Sequence, residues 1–178
     1  SLIPATIGGA IRQNAGTGNN EEIKDVFLSC RVYDIKKNKE IEFNLDNIDF
    51  NYRNSIIKKN PNRYIVLSSK FKLNNQKDNV DHLIIEMKER VKEKKNREPS
   101  GYSFGSTFVN DEKKAWEYVN SIYNNLDLSD DYYFSDKHKN WVVNRNGSGE
   151  AILDLINKVQ NEVFNKFNIN LKLEVDII

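Results

Sequence analysis

Three short clusters in the sequence contain residue types that can bind a ligand or take part in catalysis. Residues 3–18 are rich in glycine and other small residues, with Gly8 next to Gly9 and a further glycine at Gly16. Adjacent glycines allow a backbone to approach a ligand closely and leave amide donors for a phosphate or a flavin ring. Taken alone, this composition favours a structural turn over a binding site, and both interpretations stay open.

The second cluster, residues 50–55, contains an arginine next to an aromatic side chain. Arg53 follows Tyr52 shortly after a predicted hairpin. A planar guanidinium can hold a carboxylate or a phosphate through two parallel hydrogen bonds. A surface arginine without a ligand is an equally good interpretation of these residues.

The third cluster, residues 105–110, places a serine directly after a glycine in a predicted loop. The hydroxyl of Ser106 could donate a proton to a substrate, which is a general-acid role. A simple turn is the alternative, and it is the commoner reason for a glycine and a serine in succession.

Signatures of a zinc site and of the common nucleotide-binding loops are absent from the sequence. The two histidines and the single cysteine, Cys30, show no spacing typical of zinc ligands, so we predict no metal site. Neither a P-loop nor the dinucleotide-binding glycine fingerprint occurs. Cys30 lies in an alternating apolar segment, which favours a buried structural thiol.

Composition and charge narrow the class of protein. Of the 178 residues, 38% are hydrophobic and 30% are charged, which is typical of a folded globular domain. The net charge of +1 provides no field that attracts nucleic acid or an anionic membrane. No apolar segment has the length of a membrane span, and no signal peptide is visible. We therefore expect a cytoplasmic protein without a nucleic-acid or membrane partner, and the single cysteine fits a reducing compartment.

Hydrophobic periodicity predicts an α+β fold. Residues 1–20 are turn-prone, and alternating apolar residues predict strands over 25–34, 41–45, 63–73, 141–143 and 171–178, the first two forming a hairpin. In the first strand we predict one apolar face made by Val26, Leu28, Cys30 and Val32. Helical spacing predicts three helices, carrying Val80, Leu83, Ile84, Met87 and Val91; then Ala115, Tyr118, Val119 and Ile122; then Ile152, Leu155, Ile156, Val159 and Val163. Their expected N-caps are Asp78 or Asn79, Asp111 and Ser148.

Pro99 and Gly101 interrupt the first of these helices and mark the predicted domain boundary. We predict one domain over residues 1–98, including a linker helix, and a second over residues 99–178. The chain opens directly on the glycine cluster, without a preceding strand or helix that a glycine-rich turn would connect. We therefore expect it to be one part of a larger protein.

Taken together, in this order and spacing, the clusters resemble the UDP-N-acetylenolpyruvoylglucosamine reductase (MurB) family. The similarity runs from the first residue nearly to the last. It is carried by Ile3-Pro4-Ala5-Thr6-Ile7-Gly8-Gly9-Ala10 with Asn14-Ala15-Gly16, Tyr52-Arg53-x-Ser55, Gly105-Ser106-Thr107-Phe108-x-Asn110, Lys114-Ala115-Trp116-Glu117, Ser135-x-Lys137-His138-x-Asn140 with Val143-Asn144, and Leu171-x-x-Glu174-Val175.

The resemblance implies both a fold and a reaction. The fold is the second half of a split FAD-binding domain of the vanillyl-alcohol-oxidase-like type, followed by a small α+β substrate-binding domain. The reaction uses NADPH and FAD to reduce UDP-N-acetylglucosamine enolpyruvate to UDP-N-acetylmuramate. This product feeds peptidoglycan synthesis, and hence cell-wall biogenesis, cell shape and cell division. The resemblance also implies a monomer whose partner is a UDP-sugar.

The resemblance assigns roles to individual residues. The catalytic residues are Arg53, Ser106 and Glu174. The residues that contact FAD are Ile3, Pro4, Thr6, Ile7, Gly8, Gly9, Asn14 and Gly16. The residues that contact the substrate are Tyr52, Asn110, Lys137 and His138.

One segment departs from the family pattern. Residues 124–132 carry bulky and acidic side chains where the family has a glycine-rich stretch before the Ser135 motif. Such side chains could block or repel a diphosphate. This departure motivates an alternative hypothesis, in which the chain is a diverged non-catalytic relative that acts as a binding module. A third hypothesis is a different oxidoreductase that shares the flavin fold.

Overall fold

The computed structural model describes residues 5–16, 21–73 and 80–177. The chain divides into two compact units, Ser1–Val80 and Asp81–Ile178. Ile3 and Pro4 of the proposed FAD segment and the expected caps Asp78 and Asn79 lie outside the described residues. Both units contain helices and strands, so the predicted α+β class is confirmed.

The first unit is built around a three-stranded antiparallel sheet with the order β2-β1-β3. Its elements in chain order are α1 (Ile7–Gln13), β1 (Phe27–Asp34), β2 (Lys39–Asn44), α2 (Ile56–Lys59) and β3 (Tyr64–Phe71). Strands β1 and β2 pair through a polar turn at residues 35–38, which confirms the predicted hairpin. Asn38 adopts a left-handed backbone with φ of 50° there, a conformation that asparagine tolerates well.

The predicted face of β1 is wrong at its beginning. Cys30 and Val32 are buried, whereas Leu28 is 48% exposed and Phe27 is buried in its place. The pairing with β3 shifts register between Phe27 and Ser29, which indicates a β-bulge. Because side chains alternate along a strand, one extra residue exchanges the two faces. Leu45, which we placed in the second strand, follows the end of β2 and is exposed.

The core of the first unit consists of buried side chains from the sheet, from α1, from α2 and from the segment before α2. Its members are Ile11, Phe27, Cys30, Val32, Phe43, Ile48 and Ile57. Burial raises the pKa of the Cys30 thiol to about 11, so this thiol stays protonated at neutral pH. The expectation of a buried structural cysteine is confirmed.

The glycine cluster contains a helix where we predicted turns. Helix α1 begins after Thr6, whose side chain accepts a hydrogen bond from Gly9 N, and ends at Asn14 in a left-handed conformation. A glycine inside a helix costs about 1 kcal/mol relative to alanine. Caps at both ends and the burial of Ile11 offset that cost. At Gly8 an added Cβ would lie 3.3 Å from the Cβ of Val66, so the close packing of α1 on β3 favours glycine there.

An ion pair with a buried carboxylate joins the end of β1 to the residue before β3. The guanidinium of Arg63 donates to both carboxylate oxygens of Asp34, at 3.2 and 2.9 Å. The amides of Lys36 and Lys37 donate to the same carboxylate. The hydrogen bond from Arg63 is the main reason that the pKa of Asp34 lies below its usual value, and it outweighs the effect of desolvation.

The Asp34–Arg63 ion pair makes the stability of the first unit depend on pH. A carboxylate whose pKa is lower in the folded than in the unfolded state stabilises the fold fully above the unfolded pKa, about 4. That contribution is lost as the pH falls through the lower folded value. We expect Asp34→Asn to lower the melting temperature at pH 7, and the difference from wild type to shrink below pH 4. Asp154→Asn, at an exposed position of the helix over Gly149–Phe167, is the control. A constant difference for Asp34→Asn across this range would contradict the prediction.

The second unit combines helices with a two-stranded antiparallel sheet. Its elements are α3 (Val80–Arg97), α4 (Ala115–Ile122), β4 (Tyr132–Phe134), β5 (Val142–Asn144) and α5 (Gly149–Phe167). Ser148 caps α5 as predicted, accepting a hydrogen bond from Ala151 N at 3.1 Å. Helices α4 and α5 bury the faces that periodicity predicted, around a core that includes Phe108, Ala115, Val119, Ile122, Phe134, Val142, Leu155, Ile156, Val159 and Val163.

Helix α3 confirms the predicted helix but not the burial of its apolar stripe. Within the described part of the chain none of its side chains is buried, and Met87 is 52% exposed. The helix ends at Arg97, just before the predicted break at Pro99. We placed the domain boundary after this helix, at 98/99, whereas the contacts within the chain divide it before the helix, at 80/81. The two boundaries differ by the length of a helix that contributes no side chain to either described core.

The strand predicted over residues 171–178 is reduced to a short pairing. Leu173 forms an isolated antiparallel bridge with Phe108, and no regular strand follows it in the described residues. Leu171 is buried, whereas Ile177 is exposed.

Among residues 5–16, 21–73 and 80–177, no helix is both long and apolar enough to span a membrane. No described cluster of histidine, cysteine, aspartate and glutamate side chains could hold a metal ion.

Candidate functional site

Arg53 lies in a tight turn of the first unit. The backbones of Asn51 and Asn54 exchange hydrogen bonds of 3.0 and 3.1 Å, and Arg53 between them has a left-handed φ of 51°. Its guanidinium carbon lies 4.8 Å from the centre of the Tyr52 ring, within the range of a cation–π contact. The turn therefore brings together the two residues that the second sequence cluster singled out.

The guanidinium of Arg53 reaches the end of the glycine cluster. Nη1 donates to the carbonyl of Asn14 at 3.3 Å, and Nη2 donates to the carbonyl of Gly16 at 3.3 Å. The Arg53 side chain is only 13% exposed. The structure thus joins the first and second sequence clusters, which lie 39 residues apart between Asn14 and Arg53.

Asn14 is fully buried and bonded through both ends of its side-chain amide. Nδ2 donates to a Glu22 carboxylate oxygen and to the carbonyl of Asn51, both at 3.0 Å, and Oδ1 accepts from Lys24 N at 3.1 Å. This arrangement gives Asn14 a structural role in joining three segments of the unit. Its assignment as an FAD contact stays a prediction, and such a contact would require a change in these bonds or the use of its backbone.

Glu22 is a member of this cluster that the sequence analysis missed. Its side chain is 11% exposed, and it contacts Arg53 at 3.4 Å and Lys24 at 2.7 Å in addition to Asn14. A carboxylate in a run of acidic residues gives no sign that it will pair with an arginine 31 positions later. Only the folding of the 51–54 turn onto residues 14–16 creates this pairing.

Residues at the start of α1 present a surface of small and apolar groups. Ile7 is 56% exposed, and at Gly9 an added Cβ would meet only the Thr6 hydroxyl oxygen, at 3.4 Å. At Gly16, by contrast, an added Cβ would lie 2.5 Å from the Glu21 carbonyl, so packing within the protein already requires glycine there. The exposed residues of α1 fit a flat, mainly apolar ligand such as a flavin ring, and the roles of Thr6, Ile7, Gly8 and Gly9 toward FAD stay predictions.

In the second unit, backbone pairing brings Ser106 and Glu174 to neighbouring positions. Ser106 forms an antiparallel bridge with Trp141. The next residue, Thr107, accepts a hydrogen bond from the backbone amide of Glu174 at 2.8 Å. Both Ser106 and Glu174 are partly exposed. The candidate proton donor and the candidate carboxylate therefore lie on neighbouring segments of the same small ladder.

Asn110 has a structural task at the start of α4. Its side-chain oxygen accepts a hydrogen bond from Ala115 N at 2.9 Å, which satisfies an amide in the first turn of the helix. We predicted this task for Asp111, and that prediction is wrong, because Asp111 instead bonds the amide of Glu112. The assignment of Asn110 as a substrate contact stays a prediction.

Lys137 and His138 lie on the loop before β5. Lys137 is exposed, and its backbone amide donates to the Ser135 hydroxyl at 3.1 Å. The ring centres of His138 and Trp141 are 5.6 Å apart. Burial lowers the pKa of His138, and the positive charge of Arg97 lowers it further, so the imidazole is mainly neutral at pH 7. Among the described residues its buried Nδ1 has no hydrogen-bond partner, and the roles of Lys137 and His138 toward the substrate stay predictions.

Comparisons with a family model and with individual relatives find similarity to the same kind of protein. Residues 98–178 match the family model described as UDP-N-acetylenolpyruvoylglucosamine reductase, C-terminal domain. The UDP-N-acetylenolpyruvoylglucosamine reductase of Clostridium novyi (strain NT) is 36% identical over 182 aligned positions, covering 99% of this chain and 56% of that protein. The enzyme of the same name from Carboxydothermus hydrogenoformans is 34% identical and covers 99% of this chain and 57% of that protein.

A solved structure shows the same likeness. The crystal structure of UDP-N-acetylenolpyruvylglucosamine reductase (MurB) from Thermus caldophilus has a TM-score of 0.76 and 25% identity, covering 98% of this chain and 61% of that one. The chain spans 56% of the length of the first Clostridium relatives, slightly more than half. The matched C-terminal domain, the named relatives and the shared fold lead to one conclusion: the chain belongs to the UDP-N-acetylenolpyruvoylglucosamine reductase family.

Proposed function

We propose that the protein to which this chain belongs catalyses the NADPH-driven, FAD-dependent reduction of UDP-N-acetylglucosamine enolpyruvate to UDP-N-acetylmuramate, a step of peptidoglycan precursor synthesis. The observation that carries this proposal is the backbone pairing that places the segment carrying Ser106 beside the segment carrying Glu174. When bound, FAD would transfer a hydride from NADPH to the enolpyruvyl group. The proposed location is the cytoplasm, and the proposed assembly is a monomer.

Ser106 supplies the proton in this proposal. A hydride that adds to one carbon of the substrate alkene leaves negative charge on the adjacent carbon, which bears the carboxylate. A serine hydroxyl is a weak acid, so it gives up its proton only to a strongly basic centre such as this carbanion. The hydride and the proton together account for the two hydrogens that the double bond gains.

Arg53 and Glu174 act on the substrate carboxylate. As the carbanion forms, charge spreads into this carboxylate, and a guanidinium stabilises the resulting enolate-like state. The substrate carboxylate would compete with Glu22, whose carboxylate lies 3.4 Å from Arg53. In this proposal Glu174 orients or polarises the substrate carboxylate.

The FAD contacts in this proposal come from the glycine cluster. Thr6, Ile7 and Gly9 are exposed at the start of α1, which supports a flavin contact there. A flavin dinucleotide also needs donors for its diphosphate, and the described part of this cluster offers few. We therefore expect the isolated chain to bind FAD weakly or not at all, and tight, stoichiometric yellow flavin in a titration would contradict this expectation.

The activity is tested with the full-length protein loaded with FAD. NADPH oxidation is followed by the near-ultraviolet absorbance of the reduced nicotinamide ring. The measurement is made with and without UDP-N-acetylglucosamine enolpyruvate. We expect oxidation to depend on the substrate and UDP-N-acetylmuramate to accumulate in equal amounts. Oxidation that is independent of the substrate, together with an unchanged rate in Ser106→Ala, would overturn the proposal.

A diverged relative that binds a ligand without turnover is the second candidate. Its support is the 124–132 segment, where Asp127, Asp130 and Asp131 are exposed. Acidic groups next to a diphosphate are repulsive. Isothermal titration of the full-length protein with the substrate distinguishes the two candidates, because binding without NADPH oxidation would favour the second.

A further inference from the structure

The segment that carries Ser106 is held by one buried amide. Asn140 is 1% exposed, and both polar atoms of its side chain bond to the backbone of Phe108. Oδ1 accepts from Phe108 N at 2.9 Å, and Nδ2 donates to Phe108 O at 2.8 Å. A side-chain amide that offers one donor and one acceptor in this way reproduces the two bonds of an antiparallel backbone pair.

The backbone of Asn140 adds a third bond to the same segment. Its carbonyl accepts a hydrogen bond from Thr107 N at 2.8 Å. On the other side of the segment, Thr107 O accepts from Glu174 N and Val109 N donates to Lys172 O. The amide and carbonyl of Phe108 point away from that side, because successive residues of a strand direct these groups alternately. Asn140 therefore takes the place of a missing strand.

The conformation on the other side of Ser106 makes this restraint important. Gly105 has a left-handed φ of 85°, and a glycine leaves the backbone freer than any other residue does. The direction of the Ser106 side chain is consequently set by the backbone pairing of residues 106–108, to which the Asn140 side chain contributes two bonds. A catalytic group displaced by about 1 Å loses on the order of a hundredfold in rate.

We infer that Asn140 is a positioning residue that fixes the direction of the Ser106 hydroxyl through the backbone of Thr107 and Phe108. This inference rests on the proposed role of Ser106 as the proton donor. Its structural part, the restraint of the 106–108 segment, stands independently of any reaction and can be measured without cofactor or substrate.

The chain contains a matched control for the structural part. Asn144 makes the same pair of side-chain bonds to the backbone of Gly147, accepting at 2.8 Å and donating at 3.2 Å. We expect Asn140→Ala to accelerate amide hydrogen exchange at residues 107 and 108 by about tenfold or more, since both are buried groups that lose restraint. Asn144→Ala is expected to leave exchange at those residues unchanged. Equal exchange at residues 107 and 108 in the two variants would overturn the inference.

The catalytic part is tested by a double-mutant cycle in the full-length enzyme loaded with FAD. We expect Asn140→Ala to lower kcat for substrate reduction by on the order of tenfold to a hundredfold, with little change in KM or in NADPH-driven flavin reduction. In the Ser106→Ala background the same change is expected to cost nothing further, because the hydroxyl that it positions is gone. Independent losses that multiply would show that Asn140 acts elsewhere.

Asn140→Asp provides a second variant with the side-chain volume preserved. At neutral pH a carboxylate oxygen would face the Phe108 carbonyl and repel it, whereas a protonated carboxyl can donate and restore the pair. We expect the rate of this variant relative to wild type to rise as the pH is lowered, and a constant ratio would count against the inference. An unchanged rate in Ser106→Ala overturns the proposed function and with it the catalytic purpose of the restraint, whereas unchanged exchange overturns the restraint alone.

Discussion

Replacing Ser106 with alanine in the full-length enzyme is expected to slow reduction of the enolpyruvyl substrate by about 10²–10⁴-fold, the usual contribution of a general acid. The loss follows because the carbanion left by hydride transfer has no other assigned proton donor. Flavin reduction by NADPH needs no proton from this side chain, so its rate is expected to stay at the wild-type value. Stopped-flow absorbance of the flavin measures the two half-reactions separately.

Ser121→Ala is the matched control for this experiment. Ser121 lies on the exposed face of α4 in the same unit, where its hydroxyl donates to the carbonyl of Tyr118 at 2.6 Å. Its removal is expected to leave both half-reactions within about twofold of wild type, since surface substitutions have small effects. If Ser106→Ala slowed flavin reduction as strongly as substrate reduction, the serine would have to act on the cofactor or on folding.

Arg53 is expected to affect stability and catalysis together, and Arg53→Gln and Arg53→Lys separate the two effects. Arg53→Gln removes the charge that faces Glu22 in a nearly buried cluster and breaks the bonds to Asn14 and Gly16. Loss of a partner from a buried polar group costs about 1–3 kcal/mol, so we expect the free energy of unfolding to fall by about 2 kcal/mol. Urea unfolding of the isolated chain measures this change.

Arg53→Lys retains the positive charge but removes the planar fork. We expect its stability loss to be smaller than that of Arg53→Gln, while kcat/KM for the enolpyruvyl substrate falls by about a hundredfold, because an ammonium cannot hold a carboxylate through two parallel bonds. Arg31→Lys is the control, since Arg31 is an exposed arginine paired with Glu40 at 3.4 Å, and such surface pairs contribute less than about 1 kcal/mol. Wild-type kcat/KM in Arg53→Lys would remove Arg53 from the mechanism.

The low exposure of the Arg53 guanidinium explains why its neighbourhood contains so many polar side chains. Glu22 compensates the guanidinium charge, and Asn14 links Glu22 to the turn that carries Arg53. A charge removed from water is stable only when it is paired and bonded in this way. The same bonds hold Arg53 at a defined place near the glycine cluster, as its proposed binding of a substrate carboxylate requires.

Several features could be predicted because their cause lies within a few residues of sequence. The β1–β2 hairpin follows from two alternating segments around a polar turn, and α5 follows from the Ser148 cap and an apolar face of period 3.6. The three candidate functional clusters could be recognised for the same reason, since the chemical properties of glycine, arginine and serine do not depend on their position in the fold. Family resemblance then supplied roles that periodicity could not.

The errors have a different origin. The bulge near Leu28 depends on pairing with β3, about forty residues later, and it reversed the face predicted for the start of β1. Helix α1 forms although its two glycines disfavour a helix, because the caps and the burial of Ile11 outweigh their low helix propensity. The stripe of α3 is helical as expected, but periodicity cannot state what covers an apolar face.

The types of residue available for catalysis were readable from the linear order, whereas their neighbours were not. Ser106, Arg53 and Glu174 can be named from motifs, but the pairing of Arg53 with Glu22, the approach of Glu174 N to Thr107 and the hold of Asn140 on Phe108 arise only in the folded chain. The physical reason is that a side chain's chemistry is local, while hydrogen bonds and burial join residues far apart in sequence. Folding therefore selects which of the available groups are positioned to act.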